Sequence, residues 1–272
     1  MHDVDVQAYL DRVGFSGPAR ADLATLTALH RGHLRSIPYE NLDVQLGRPM
    51  TLDTGAAFDK LVTRRRGGWC YEMNGLLGAV LQEIGFSVTR MAGSVSRGER
   101  GDRPLGNHLV LRVELDRPYI ADVGFGDGIL EPFPMSFGDL DCAGYSFRLE
   151  DLDGKWLRFH NHANGGAPYF DFTLAPASPD ELGATCRWLS TSPESIFVQT
   201  ALAFRHTPDG IVALLGRAHR RIRPDGKETT LLNSAEEFVA VLKQDFGLDV
   251  PEAAAAWPAI RAKHEELFGA EA

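Results

Sequence analysis

A chain of 272 residues, 44% hydrophobic and 24% charged, has the composition of an ordinary globular protein and the length for two or three structural units. Its net charge of -9 argues against a nucleic-acid partner, because phosphate backbones ask for a basic face. No apolar run approaches a membrane span, the start MHDVDVQAYL lacks the apolar core of a signal peptide, and three scattered cysteines without CxxC spacing fit neither a disulfide framework nor structural zinc, so a reduced, cytoplasmic setting is expected.

Residues 3 to about 84 read as mostly helical. Val4 to Val13 carries apolar positions at helical spacing and stops at Gly14, and Ala19 to Leu34 sets Leu23, Leu26, Leu29 and Leu34 on a stripe. Pro38 disfavours helix at Ile37, so Ile37-Pro38-Tyr39-Glu40-Asn41-Leu42 breaks the pattern. After Cys70, the residues Leu76, Leu77, Val80, Leu81 and Ile84 share one helical face, and Gly85 ends it.

From Phe86 the period becomes alternating. Leu109, Leu111, Val113 and Leu115 fall on one side of a strand, Asp116-Arg117-Pro118 forms a turn, and Tyr119 to Val123 returns. Further strands are predicted at Tyr145 to Leu149, Trp156 to Phe159 and Phe170 to Leu174, so residues 86 to 190 read as an antiparallel sheet or barrel. In the last part, Ile196 to Phe204 and Ile211 to Leu215 read as strands joined at Pro208-Asp209-Gly210. Arg217 to Arg223 and Lys227 to Leu232 form a second hairpin around Pro224-Asp225-Gly226. Ser234 and Glu237 then open a helix as a capping box, and another helix runs from about Pro258 to Phe268.

The stretch that points to chemistry is Arg66-Gly67-Gly68-Trp69-Cys70-Tyr71-Glu72-Met73-Asn74-Gly75. Two glycines free the backbone, and Cys70 falls at a helix start, where partial positive charge favours a thiolate. A cysteine there is also a common small core residue. His108 and Asp122 are polar intrusions in apolar strands on either side of the Asp116-Arg117-Pro118 turn. If the hairpin register brings them together, the carboxylate orients the imidazole and the free ring nitrogen takes the thiol proton. Otherwise His108 is a satisfied strand histidine and Asp122 a strand-end cap. The residues alone leave both readings open.

Three other clusters read as structural. Arg64, Arg65 and Arg66 form a basic run best taken as a solvated surface cluster, although its place beside Cys70 keeps an anion-binding role in view. His160-Asn161-His162 has no carboxylate–histidine company and reads as a loop or strand surface. Asp151-Leu152-Asp153-Gly154 lacks the glutamate that completes a calcium loop and reads as a turn. No metal site is expected.

The chain resembles the arylamine N-acetyltransferase family over nearly its full length. The resemblance is carried by the 37–42 and 66–75 stretches, by Asn107-His108, and by Asp122-Val123-Gly124-Phe125-Gly126, in that order. It implies an α+β fold of three units with a cysteine-protease-like triad: a helical bundle over 1–85 carrying Cys70, a β-barrel over 86–190 carrying His108 and Asp122, and an α/β lid over 191–272. It further implies ping-pong transfer of acetyl from acetyl-CoA, a co-substrate and not a prosthetic group, through a Cys70 thioester to an arylamine or hydrazine, a xenobiotic-metabolising activity. By the same analogy Tyr39, Tyr71, Phe125 and Phe204 line an aromatic pocket, and Phe125-Gly126-Asp127-Gly128 is the glycine loop near the coenzyme A site. The segment between Val95 and Asn107 varies within the family and leaves the acceptor open. Rival readings are an amide synthase of the same family closing a macrolactam, a transglutaminase-like thiol hydrolase, and a non-enzymatic ligand binder.

Overall fold

The computed structural model describes residues 4–100 and 105–269. The segment between Val95 and Asn107 therefore lies partly outside the described residues, as do the first three residues.

Side-chain caps fix where the first helices begin. Asp5 accepts the Ala8 N–H at 3.0 Å and starts Val6–Val13, which ends at Gly14 with φ 70°. Asp22 accepts the Thr25 N–H at 2.8 Å, so the second helix is Leu23–Ser36 and starts after Ala19. Short helices at Leu42–Gln45 and Thr54–Phe58 follow, the latter running into a π-helical turn at Asp59–Thr63. The long helix Cys70–Ile84 is buried along nearly its whole length and stops at Gly85.

The strands form two antiparallel sheets. Numbered along the chain, they are β1 Tyr39–Glu40, β2 Ser87–Val95, β3 His108–Glu114, β4 Pro118–Ala121, β5 Phe133–Pro134, β6 Gly138–Cys142, β7 Tyr145–Asp151, β8 Leu157–His160, β9 Tyr169–Pro176, β10 Leu202–Thr207, β11 Gly210–Leu215, β12 Ala218–Arg223 and β13 Gly226–Leu231. The larger sheet has the order β5-β4-β3-β2-β9-β8-β7-β6. Its two edge strands are joined by residues 135–137 alone, so the sheet must roll into a nearly closed barrel. The smaller sheet has the order β1-β10-β11-β12-β13, and β1 comes from the helical N-terminal part. Tyr39 pairs with Phe204 there, and Glu40 with Ala203.

Two expectations are corrected. Ile196–Gln199 is a helical turn and not strand, because Ser195 caps it by accepting the Phe197 N–H at 3.2 Å. Asn41 Nδ2 then takes the Phe197 and Thr200 carbonyls, both at 2.8 Å, and β10 begins only at Leu202. The stretch read as barrel to residue 190 ends in a helix, Pro179–Thr191, with Ser178 as N-cap, Pro179 in its first turn and Leu182, Cys186 and Leu189 buried.

The elements share cores. One apolar cluster joins the N-terminal helices, the barrel and one face of the smaller sheet, through Ile211, Ala213 and Ile222. A second fills the space between the opposite face (Ala203, Val212, Leu214) and the helices Ala235–Phe246 and Trp257–Phe268. No described helix is long and apolar enough to cross a membrane.

Candidate active site

Cys70 is the first residue of its helix, and Glu72 completes the start by accepting the Trp69 N–H at 3.2 Å. Gly124 passes directly over the cysteine: a Cβ there would sit 2.7 Å from Cys70 Cα and 2.9 Å from Cys70 Cβ. His108 opens β3, and Asp122 is the first residue beyond β4. The register pairs Leu111 with Ala121, and one further step sets Asp122 across from Val110, diagonal to His108 on the same face. His108 Nε2 lies 2.6 Å from Asp122 Oδ2. Cys70, His108 and Asp122 are each no more than 4% exposed.

Burial pushes the Asp122 carboxyl up, but His108 and the hydrogen bonds from His108, Asn74 and Gly124 outweigh it and hold the group below its ordinary value. An ionised carboxylate only accepts, so His108 carries its proton on Nε2 and presents Nδ1 as the free ring nitrogen. Burial pushes the Cys70 thiol well up, and the backbone N–H groups of Leu109 and Tyr71 only partly offset this. The helix start is therefore not enough to make a thiolate. The thiol's hydrogen-bond partner in this structure is the Asn107 carbonyl, 3.8 Å from Sγ.

Asp122 is held from three further directions. Asn74 Nδ2 donates to Asp122 Oδ1 at 2.7 Å and to the Leu109 carbonyl at 2.6 Å, while its Oδ1 accepts the Val123 N–H at 2.9 Å. Gly124 N–H donates to Asp122 Oδ1 at 2.9 Å. The Asp122 N–H donates to His30 Nε2 at 3.1 Å, which leaves His30 Nδ1–H to donate to the Leu130 carbonyl at 2.9 Å. Burial pushes His30 down to about 4, consistent with this neutral tautomer.

Arg66 is not a solvated surface residue. It is buried, with its guanidinium 2.8 Å from Glu40 Oε1 and 3.3 Å from Asp43 Oδ1. Lys60 continues the cluster, 2.8 Å from Asp43 and 3.0 Å from Glu72. Multiple hydrogen bonds offset the desolvation cost of these charges. Arg64 behaves as expected, exposed and paired with Asp59 at 2.7 Å.

Cys70 and His108 open onto a cavity of about 490 Å³ whose walls include Tyr39, Phe125, Phe197 and Phe204. Tyr71 stands outside that lining: its ring packs edge-on against Trp69 at 5.3 Å and its hydroxyl donates to the Gly106 carbonyl. Gly126 also lies behind the wall, where a Cβ would meet the Phe204 ring at 2.8 Å. Asp127 does reach the cavity, its oxygens accepting from Asn161 Nδ2 at 3.0 Å and from the Gly166 N–H at 2.6 Å.

The His160-Asn161-His162 run is divided between partners: His160 bonds Glu150 at 2.7 Å, and His162 bonds the Asp127 carbonyl at 3.1 Å and packs on Tyr145. At residues 151–154, Asp151 Oδ1 accepts the Gly154 N–H at 2.6 Å, a turn as expected. His30, Asn74 and Asp127 carry roles that sequence reasoning did not assign. Asn74 lies within the 66–75 stretch, whereas a histidine on an apolar helical stripe gives no signal of the strand end it holds.

Known proteins match this arrangement. A family model described as N-acetyltransferase matches residues 22–255. The arylamine N-acetyltransferase of Mycolicibacterium smegmatis is 36% identical, covering 92% of this chain and 94% of its own. Human arylamine N-acetyltransferase 1 is 32% identical over 91% and 95%. Among solved structures, Mycobacterium marinum arylamine N-acetyltransferase in complex with CoA superposes with a TM-score of 0.86 at 32% identity, covering 97% of this chain and 99% of that one. The protein is thus an N-acetyltransferase by fold and sequence. The chain belongs to the arylamine N-acetyltransferase family, a family of acyltransferases.

Proposed function

We propose that the protein moves an acetyl group from acetyl-coenzyme A to the nitrogen of an arylamine or arylhydrazine by a ping-pong route through Cys70, in the cytoplasm. The observation that carries this reading is that Cys70 and His108 share one cavity while Asp122 holds the imidazole from behind at 2.6 Å. His108 Nδ1 takes the Cys70 proton, and the resulting thiolate attacks the thioester carbonyl. Coenzyme A leaves as its thiol, carrying the proton back from His108. The amine then attacks the acetyl-cysteine, His108 accepts the amine proton, and Cys70 departs and is reprotonated. Asp122 fixes the tautomer and balances the imidazolium charge. The side chains of Tyr39, Phe125, Phe197 and Phe204 in the cavity lining limit the access of water to the thioester.

Intact mass after brief exposure to acetyl-coenzyme A, before and after adding an arylamine, tests the route. An acetyl adduct on Cys70 that disappears as the acetylated amine forms supports it. An adduct lost equally fast without amine indicates a hydrolase, and no adduct on a reactive thiol removes acetyl-coenzyme A as the donor.

A further inference from the structure

His108 is the first residue of β3, so the chain that leads into it has no strand of its own to hold it. A row of side chains does so instead. The Leu105 carbonyl accepts from Thr185 Oγ1 at 3.1 Å, the Gly106 carbonyl from the Tyr71 hydroxyl, and the Asn107 carbonyl from Cys70 Sγ at 3.8 Å. Three successive carbonyls are thus taken by two helices, Pro179–Thr191 and Cys70–Ile84. On the other side the Gly106 N–H donates to the Gly93 carbonyl at 3.0 Å, and Asn107 Oδ1 accepts the Val95 N–H at 2.7 Å, which moors this strap to β2.

Both clamping hydroxyls are out of solvent. Tyr71 is 2% exposed and Thr185 9%, so each is a buried polar group satisfied by a strap carbonyl. Gly106 has φ +82°, and a Cβ on it would stand 3.1 Å from Leu182 Cδ2, so the helix of Thr185 packs directly on the strap. Cys70 and Tyr71 are consecutive, and the helix start that presents the nucleophile therefore also grips the residue two before the base. The sulfur itself touches both flanks of His108, donating to the Asn107 carbonyl and accepting from the Leu109 N–H. Asp122 fixes the ring from Nε2, but the separation of ring and sulfur is set by the backbone from which the ring hangs. Proton transfer from a thiol is sensitive to that separation, and a displacement of about 1 Å can cost about 10²-fold in rate.

We propose that Tyr71 and Thr185 are positioning residues whose hydroxyls clamp the 105–107 strap and so set His108 against the Cys70 sulfur. The proposal rests on the acetyl-transfer reading above, in which His108 takes the Cys70 proton. Tyr71→Phe tests it, because it keeps the ring against Trp69 and removes the hydroxyl alone. In this variant kcat for arylamine acetylation falls about tenfold or more, while KM for acetyl-coenzyme A and for the arylamine stays within about twofold. The pH midpoint for alkylation of Cys70 by iodoacetamide rises by about half a unit or more, since an imidazole set further from the sulfur supports the thiolate less. Thr185→Val loosens the same strap from the other helix and shows the same split, and Thr185→Ser, which retains a hydroxyl, recovers most of the loss. Thr185→Val decides alone if Tyr71→Phe does not fold. Parental kcat in the folded variants overturns the proposal, as does a fall in kcat with an unmoved alkylation midpoint, which makes the hydroxyls merely structural. A parent enzyme that acquires no acetyl adduct on Cys70 refutes acetyl transfer itself, a different outcome from parental behaviour of the variants.

Discussion

Asn74 and Asp122 act as one unit: a single side-chain amide donates to the Asp122 carboxylate at 2.7 Å and accepts the N–H of the next residue, Val123, at 2.9 Å. The helix that presents Cys70 thereby fixes the carboxylate that orients His108. Asn74→Ala leaves a buried carboxylate oxygen and a buried N–H short of a partner, at about 1–3 kcal/mol each. Its kcat/KM for arylamine acetylation is expected to fall tenfold or more, with a lower Tm. Parent-like kinetics in a folded variant would show that Gly124 and His30 suffice to hold Asp122.

Asp122→Asn keeps the shape of the site and changes its tautomer. An amide nitrogen facing His108 Nε2 donates to it, which moves the ring proton to Nδ1 and removes the base from Cys70. Transfer is expected to drop by about 10²–10⁴ with little change in the melting curve. Full activity would exclude Asp122 from the proposed relay.

Gly124→Ala tests the close approach over Cys70. The added methyl would stand 2.7 Å from both Cys70 Cα and Asn74 Nδ2, so backbone must move. The rate of Cys70 acetylation should fall sharply, and alkylation of the thiol by iodoacetamide should slow with it. An unchanged acetylation rate would show that the loop yields at no cost.

Acid should destabilise the fold through its buried, neutral histidines. Burial lowers His30 to about 4 and His206 to about 3, against an unfolded value near 6.5. Between those limits the unfolded chain binds more protons, so their stabilisation is complete above pH 6.5 and is lost as pH falls towards 4 and 3. Each histidine contributes about 1.4 kcal/mol per pH unit across its window. Urea midpoints at pH 7.0, 5.5 and 4.5 check this. A flat profile would mean that these rings are not neutral in the folded protein, and His30→Gln should flatten the slope in part.

The sequence was legible where local rules act on contiguous residues. The helix Cys70–Ile84 and the hairpins of the smaller sheet lie within a few residues of the boundaries expected from periodicity and from the Pro-Asp-Gly turns. Leu109, Leu111 and Val113 are all buried on β3, as their alternation required. Illegible features depend on partners far along the chain. Ile196–Gln199 is apolar and β-branched enough to read as strand, and it is a turn because Asn41, more than 150 residues away, takes its carbonyls. Arg66 reads as solvated beside two other arginines, but Glu40 and Asp43 draw it inside. Tyr71 reads as a pocket residue by analogy, and the helical turn points its ring at Trp69 and the Gly106 carbonyl.

The pairing of β1 with β10 bears on how the enzyme comes into being at the ribosome. Residues 39 and 40 are made early, yet their strand partners, Phe204 and Ala203, emerge some 160 residues later. Until then Tyr39, Phe125 and the Cys70 sulfur face an unfinished wall, and Asn41 has no carbonyls to hold. Such long-range closure is slow and comes late in folding. The nascent chain therefore carries Cys70 through about half of synthesis before the wall of the cavity is complete. A chain cut off before β10 would expose a free thiol beside an apolar surface, a target for oxidation and for quality control.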